Sequence, residues 1–384
     1  MSVVSSSATA PDLPPNRAQH PPDGNLAAEW ARAVAALDTA DEVCLACHVR
    51  PDGDALGSML ALAHALGARR EPPACRNGNG QGQRIVASFG DDPLRVPDNL
   101  RFLPGLDLLT PPGEYPAEPQ VMITFDAASL SRLGVLAPYA ARASELIVVD
   151  HHASNTRFGT VHLVDPAAAA TAVLACELVD RLGVPLNRPV AMGLYAGLVT
   201  DTGSFKHAST TAGVHGLAAR LLETGIEPEV VARELWDRAP FGYLRVLGAA
   251  LGRAVLEPQQ AGGRGLVWTM VSRADRAAHG VGYDTVEPMI DVVRRTEEAE
   301  VAIVFKQDDD DAWQVSARSK GNVDIGRVCV KLGGGGHPVA AGFTSRWPVQ
   351  DAIQRLRELL GGEPEGCSAV PARPADGAAQ ESGR

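Results

Sequence analysis

The stretch His48-Val49-Arg50-Pro51-Asp52-Gly53-Asp54 places one imidazole and two carboxylates within seven residues, directly after the apolar run 43–47. Pro51 fixes its own φ and lacks an N–H, and Gly53 allows a tight bend. His48, Asp52 and Asp54 can therefore converge from a loop instead of alternating along a strand. Such a trio is half of a metal cage. Taken alone it reads equally as a solvated turn in which Asp54 caps a helix over 55–66. Matching fragments downstream decide between the two. Asp126 stops an apolar strand over 121–125, Asp150-His151-His152 stop another over 146–149, and Asp201 follows a nearly all-apolar helix over 189–199. Polar residues placed directly after apolar strands mark a site at the carboxyl edge of a parallel sheet.

Imidazole and carboxylate donors without thiolate suit manganese, magnesium or cobalt better than structural zinc. Asp52, Asp54, Asp126 and Asp201 carry four negative charges, which two divalent cations balance. A pair of cations about 3.5–4 Å apart can generate a bridging hydroxide near neutral pH and clamp a phosphoryl group for in-line attack. Any one of these aspartates also reads as a helix cap or turn residue; the whole set does not.

The elements that must position these groups follow from periodicity. Leu26, Trp30, Val34 and Leu37 recur at helical spacing ahead of the strand that ends at His48, and a helix over 55–67 closes on Gly67. Strand, ligand loop and helix form the first unit of an α/β domain. Further helices are expected over 130–143, 168–182, 213–223, 228–236 and 242–251. Beyond them come strands near 255, 265–271, 300–305 and 313–318, helices around 273–278 and 285–293, a short helix after Asn322, a small-residue strand near 340–343 and a last helix over 349–360. The expected fold is α/β: a parallel-sheet N-terminal domain with flanking helices, plus a smaller α/β C-terminal domain. Its boundaries are a leader over 1–24, a catalytic domain over 25–238, a linker over 239–253, a second domain over 254–362 and a tail over 363–384.

Composition narrows the function. The 384 residues are 45% hydrophobic without an apolar run near the length of a membrane span, and the N-terminus lacks a basic-then-apolar signal, so a cytoplasmic protein with no membrane partner is expected. A formal charge of −11 argues against a sequence-independent grip on long duplex nucleic acid. Short anionic substrates remain open, because bound cations and a few arginines reverse the field locally. Cys44 and Cys47 form a lone CxxC on a strand, where residues three apart face opposite ways, and read as buried packing. Glycines at 78–82 lack the Lys and Ser/Thr of a phosphate loop and read as a connection. The acidic run 308–311 reads as a solvated hairpin loop.

The four fragments in this order, with the intact Asp150-His151-His152 triplet and the later run Gly333-Gly334-Gly335-Gly336-His337, resemble the DHH phosphoesterase family over about residues 40–345. Within it the likeness is to the stand-alone bacterial nano-RNase and bisphosphate nucleotidase branch, whose C-terminal DHH-associated domain ends in GGGH. The resemblance implies a first metal held by His48, Asp52 and Asp126, and a second held by Asp54, Asp126, His151 and Asp201, with Asp126 bridging. It implies that Asp150 orients an imidazole, that His152 sits beside the scissile phosphate as a cationic or acid group, and that Asn155 helps to orient the site. Arg318, Ser319, Asn322, Gly334, Gly335, Gly336 and His337 would bind substrate; a tetraglycine lets backbone N–H groups approach phosphate, and an Arg can bind it bidentately. One departure stands out. The family pattern has a Ser/Thr-rich start and a Glu after the third motif, whereas residues 168–172 read Ala-Ala-Ala-Thr-Ala, which puts local contacts near the site in question.

The expected activity is hydrolysis of short oligoribonucleotides, linear pApA, adenosine 3′,5′-bisphosphate and, as a further candidate, cyclic di-AMP, with two divalent metal ions, manganese first and magnesium or cobalt as substitutes. The expected partners are short RNA or dinucleotide substrates and a second copy in a homodimer. Two alternatives stay open on the residues alone: an inorganic pyrophosphatase or polyphosphatase using the same cage, and a non-catalytic nucleotide-binding regulator.

Overall fold

A computed structural model of the chain describes residues 24–69, 83–308 and 312–361. The leader up to residue 23, the glycines at 78–82, most of the acidic run 308–311 and the tail over 363–384 lie outside the described residues. The chain divides into two units, Met1–Arg238 and Ala239–Arg384.

The first unit runs α1 (Gly24–Thr39), β1 (Glu42–Cys47), α2 (Gly53–Ala68), β2 (Arg84–Phe89), β3 (Val121–Phe125), α3 (Ala137–Ala140), β4 (Glu145–Asp150), β5 (Val161–Val164), α4 (Thr171–Arg181), α5 (Arg188–Asp201), α6 (Ala212–Leu222) and α7 (Pro228–Trp236). Its five strands form one sheet in the order β2-β1-β3-β4-β5, every pair parallel. β1, β3 and β4 are buried on both faces, which is why they read as unbroken apolar runs. The edge strands β2 and β5 were not evident from sequence. The first starts on exposed Arg84, and the second is four residues with His162 half-buried.

One face of the sheet packs against α1, α2, α4 and α5, and the other against Tyr115, the 3-10 helix Leu130–Leu136 and α3. Cys47 lies in the first cluster and Cys44 in the second, so the CxxC thiols face opposite sides; burial pushes the Cys44 thiol up to about 12. The helix expected over 130–143 is instead this 3-10 segment, interrupted at Gly134 where φ is 53°, followed by the single turn α3.

The second unit runs α8 (Phe241–Gly252), β6 (Val255–Glu257), α9 (Gln260–Gly263), β7 (Leu266–Val271), α10 (Arg273–Ala278), α11 (Met289–Val293), β8 (Val301–Gln307), β9 (Trp313–Ser319), α12 (Ile325–Lys331), β10 (Gly335–His337), β11 (Ala340–Ser345) and α13 (Val349–Gly361). Its six-stranded sheet has the order β10-β11-β9-β8-β7-β6 and is antiparallel apart from β7 and β8. Within residues 239–253, α8 buries Val246 and Ala250 in a cluster with Val267, Val271 and Met289. The helix over 285–293 is split by Pro288 into a 3-10 turn, Asp284–Val286, and α11. Within the glycine run, Gly335–His337 pairs with β11 as an edge strand. A Cβ on Gly334 would stand 2.0 Å from the Gly342 carbonyl oxygen, so no other residue fits there without moving the strand.

Candidate active site

Strand register builds the site. Cys47 pairs with Phe125 and Phe125 with Val149, so the residues that follow them, His48, Asp126 and Asp150, form one row across three neighbouring strands. β3 is the middle strand, and Asp126 is therefore the middle residue. It sits at φ 55°, in the left-handed region that Asp tolerates better than most L residues, with its N–H donating to the Val149 carbonyl at 3.0 Å.

The two oxygens of Asp126 face different partners. Oδ2 is 3.4 Å from His48 Nε2, whose other neighbour is Asp52 Oδ1 at 3.9 Å. Oδ1 is 3.6 Å from His151 Nε2, which also stands 4.0 Å from Asp54 Oδ2 and 3.0 Å from Asp201 Oδ2. His48, Asp52 and Asp126 thus offer donor atoms within 4.8 Å of one another, and so do Asp54, Asp126 and His151, with Asp126 common to both groups. Donors about 2.1 Å from one six-coordinate cation stand about 3 Å or more apart, so these spacings suit a cation at the centre of each group.

What lies behind each imidazole differs. His48 Nδ1 donates to the Val49 carbonyl at 2.8 Å and His151 Nδ1 to the Ala168 carbonyl at 3.2 Å. A carbonyl can only accept, so Nδ1 carries its proton in both rings and Nε2 is the atom that would turn to a bound metal, giving up the proton it shares with the carboxylates when the ion is absent. His152 Nδ1 instead meets the buried carboxylate of Asp150 at 2.7 Å, and Asn155 Nδ2 donates to the other oxygen of Asp150 at 2.5 Å. Burial disfavours a charged His152, but Asp150 and Asp126 outweigh it and raise its pKa. A carboxylate behind the ring favours imidazolium, which can donate a proton.

Asp52 is both cap and candidate ligand. Its Oδ1 accepts the N–H groups of Asp54 and Ala55, each at 3.0 Å, so the N-cap of α2 is Asp52 and not Asp54. Asp54 is fully buried and accepts from Thr171 N at 2.6 Å, Ala172 N at 2.8 Å and Ser58 Oγ at 3.3 Å. The positive end of α4 thus points at the Asp54 carboxylate. This answers the question raised by the alanine-rich stretch: the contacts come from backbone N–H groups, which Ala supplies as well as Ser. The one hydroxyl that remains, Thr171 Oγ1, donates to Asp126 Oδ1 at 2.8 Å.

Thr171 and Ser58 were missed from sequence, as was the device that brings α2 to α5. A Cβ on Gly57 would lie 2.3 Å from the Gly193 carbonyl oxygen, so the two backbones touch there and Asp54 and Asp201 come to one side of the sheet edge. The signal was present as Gly53/Gly57 on one helix and Gly193/Gly197 on the other.

The electrostatics are those of crowded carboxylates. Burial, then Asp201 and Asp126, push Asp54 well above the ordinary carboxylate range, and burial lifts Asp201 to about 6 against its bond to His151. Asp126 goes the other way: despite burial, His48, His152 and His151 hold it well below that range. Buried carboxylates that would otherwise hold protons are groups that hard dications compensate, and the donor set fits two of them.

In the second unit Arg318 pairs with Ala340 on β11, and Ala340 with His337 on β10. Paired residues share a face, so Arg318 and His337 flank an alanine floor, about 10 Å apart across two strand spacings. Ser319 and Asn322, expected to touch substrate, have side chains otherwise engaged. Ser319 Oγ donates to Glu300 Oε1 at 2.7 Å and Asn322 Nδ2 to Glu300 Oε2 at 2.9 Å. Of the glycines, Gly334 and Gly336 have their Cβ positions filled by β11, and Gly335 is open.

A parallel sheet whose carboxyl edge carries two imidazole and carboxylate groups sharing one aspartate, followed by a mixed-sheet unit, defines a metal-dependent phosphoesterase. The family models agree: the DHH family, N-terminal domain, matches residues 42–198, and the DHHA1 domain matches residues 269–362. The chain belongs to the DHH phosphoesterase family. It is 34% identical to the bifunctional oligoribonuclease and PAP phosphatase NrnA of Thermus thermophilus, over 86% of this chain and 94% of that one. It is 27% identical to the Bacillus subtilis protein of the same name, over 86% and 97%. The cyclic-di-AMP phosphodiesterase GdpP of Geobacillus thermodenitrificans is 26% identical over 84% of this chain but 48% of its own length. Among solved structures, an exopolyphosphatase-related protein from Bacteroides fragilis shares the fold, with a TM-score of 0.75 and 21% identity over 87% of this chain and 96% of that one. Among the described residues no helix is long and apolar enough to cross a membrane.

Proposed function

We propose that the chain hydrolyses short phosphodiesters and phosphomonoesters of nucleotides: oligoribonucleotides of a few residues, linear pApA and adenosine 3′,5′-bisphosphate, with cyclic di-AMP as a further candidate. The observation that carries this reading is Asp126, one carboxylate whose two oxygens serve two adjacent ligand groups. Two divalent cations, manganese in this reading, would be held by His48, Asp52 and Asp126 and by Asp54, Asp126, His151 and Asp201. When bound they supply Lewis acidity toward a phosphoryl oxygen and acidify water.

The residues of the chain do the rest. The Val49 and Ala168 carbonyls hold His48 and His151 in the tautomer that exposes Nε2. Asp150 keeps His152 protonated, so that this ring stabilises charge on the phosphate and protonates the leaving oxygen from Nε2. Arg318, and His337 across the alanine floor, bind the nucleotide's phosphate, with Gly335 leaving room for close backbone approach. A net charge of −11 matches short substrates better than long nucleic acid. The protein works in the cytoplasm in this reading, as a homodimer in which the exposed Phe241, Leu244 and Leu251 of α8 are covered.

The test is a panel of pApA, adenosine 3′,5′-bisphosphate, cyclic di-AMP, di- to pentaribonucleotides and pyrophosphate with manganese, read by product chromatography. Mononucleotide products from the nucleotides support the reading. Turnover of pyrophosphate alone, or nucleotide binding without turnover, overturns it.

A further inference from the structure

The mechanism above makes no use of Glu300, yet this residue has the densest set of polar contacts in the second unit's turn. It stands immediately before β8 and is 7% exposed. Its Oε1 accepts from Ser319 Oγ at 2.7 Å and from Asn322 N at 2.8 Å, and its Oε2 accepts from Asn322 Nδ2 at 2.9 Å. Its backbone carbonyl accepts from Lys320 N at 3.1 Å. The Ser319 hydroxyl passes the contact on by accepting from Gly321 N at 3.0 Å. One acidic residue therefore receives hydrogen bonds, directly or through Ser319, from each of residues 319–322. These bonds hold its carboxyl below the usual glutamate range against burial, which would raise it.

The turn so fixed begins directly after Arg318 and is stitched to the strand pair that carries His337. Ser319 N donates to the Val339 carbonyl at 3.0 Å and Ile325 N to the Pro338 carbonyl at 2.9 Å. A buried carboxylate that satisfies a turn's donors over-determines the backbone on which a neighbouring side chain is mounted. We propose that Glu300 is the positioning residue of the phosphate-binding row: its carboxylate fixes the turn 319–322 and thereby the placement of Arg318 relative to His337. This rests on the functional reading above.

The test compares wild type, Glu300→Leu and Glu300→Gln as full chains with manganese. It measures kcat and KM for pApA, binding of AMP by calorimetry, and turnover of bis(p-nitrophenyl) phosphate, a small diester that needs the metals but not the nucleotide row. Glu300→Leu takes the acceptor from three donors, the buried Ser319 hydroxyl and the two N–H groups of Asn322, and is expected to raise KM for pApA and weaken AMP binding about tenfold. Its kcat and its turnover of the small diester should stay within about threefold, with an unchanged circular dichroism spectrum. Glu300→Gln should stay near wild type, because a flip of the Asn322 amide restores each bond. Wild-type KM and AMP binding in Glu300→Leu, or a parallel fall in small-diester turnover, overturns the proposal while leaving the functional reading intact. A wild-type chain that cleaves no nucleotide and does not bind AMP overturns that reading, and this inference with it.

Discussion

Replacing Asp126 with Ala should disable both metal groups at once. The substitution removes the oxygen 3.4 Å from His48 Nε2 and the oxygen 3.6 Å from His151 Nε2. If each lost contact costs what a hydrogen bond to a charged group costs, about 1.5–3 kcal/mol, each cation binds about 10- to 100-fold more weakly. Turnover that needs both cations should then fall by the product, about 10²–10⁴-fold. His48→Ala, which touches one group, should weaken one manganese ion and leave the other nearly unchanged. The assay is calorimetric titration of manganese into the metal-free protein, with pApA turnover measured in parallel and circular dichroism to verify the fold. Two manganese ions bound by Asp126→Ala at wild-type affinity, or turnover within about threefold of wild type, would refute the assignment of a shared ligand.

Arg318→Ala should raise KM for pApA about tenfold, the cost of a charge-assisted phosphate contact, with kcat little changed; equal losses in both would place Arg318 at the reacting phosphate instead. For Asp150→Asn the sign is set by the pKa of His152, which Asp150 raises. Loss of that charge lowers the pKa, the protonated ring is lost at a lower pH, and the alkaline limb of the kcat profile should move to lower pH; an unmoved limb would show that His152 does not act as the acid. Gly57→Ala puts a methyl 2.3 Å from the Gly193 carbonyl oxygen and should cost about 1–3 kcal/mol through overpacking. That lowers the thermal midpoint by about 2–4 °C per kcal/mol and loosens the metal group that contains Asp54 and Asp201, and an unchanged midpoint would contradict the close approach of α2 and α5.

The sequence by itself determined the donor types, their placement after apolar strands and the α/β class, because side-chain chemistry and hydrophobic period are local properties. It also marked a helix cap in this loop, but placed it at Asp54 where the fold has Asp52, since either carboxylate is close in sequence to the first N–H groups of α2. Only the tertiary structure decided that β3 lies between β1 and β4, which makes Asp126 the shared residue: strand order is set by pairing among segments some twenty to eighty residues apart and leaves no local mark. The same holds for Asp54 at the start of α4 and for Glu300 beneath the turn 319–322. In both cases a carboxylate satisfies backbone N–H groups distant in sequence, and any residue type can supply an N–H. The alanines at 168–172 therefore looked like a loss in the sequence and are none in the fold.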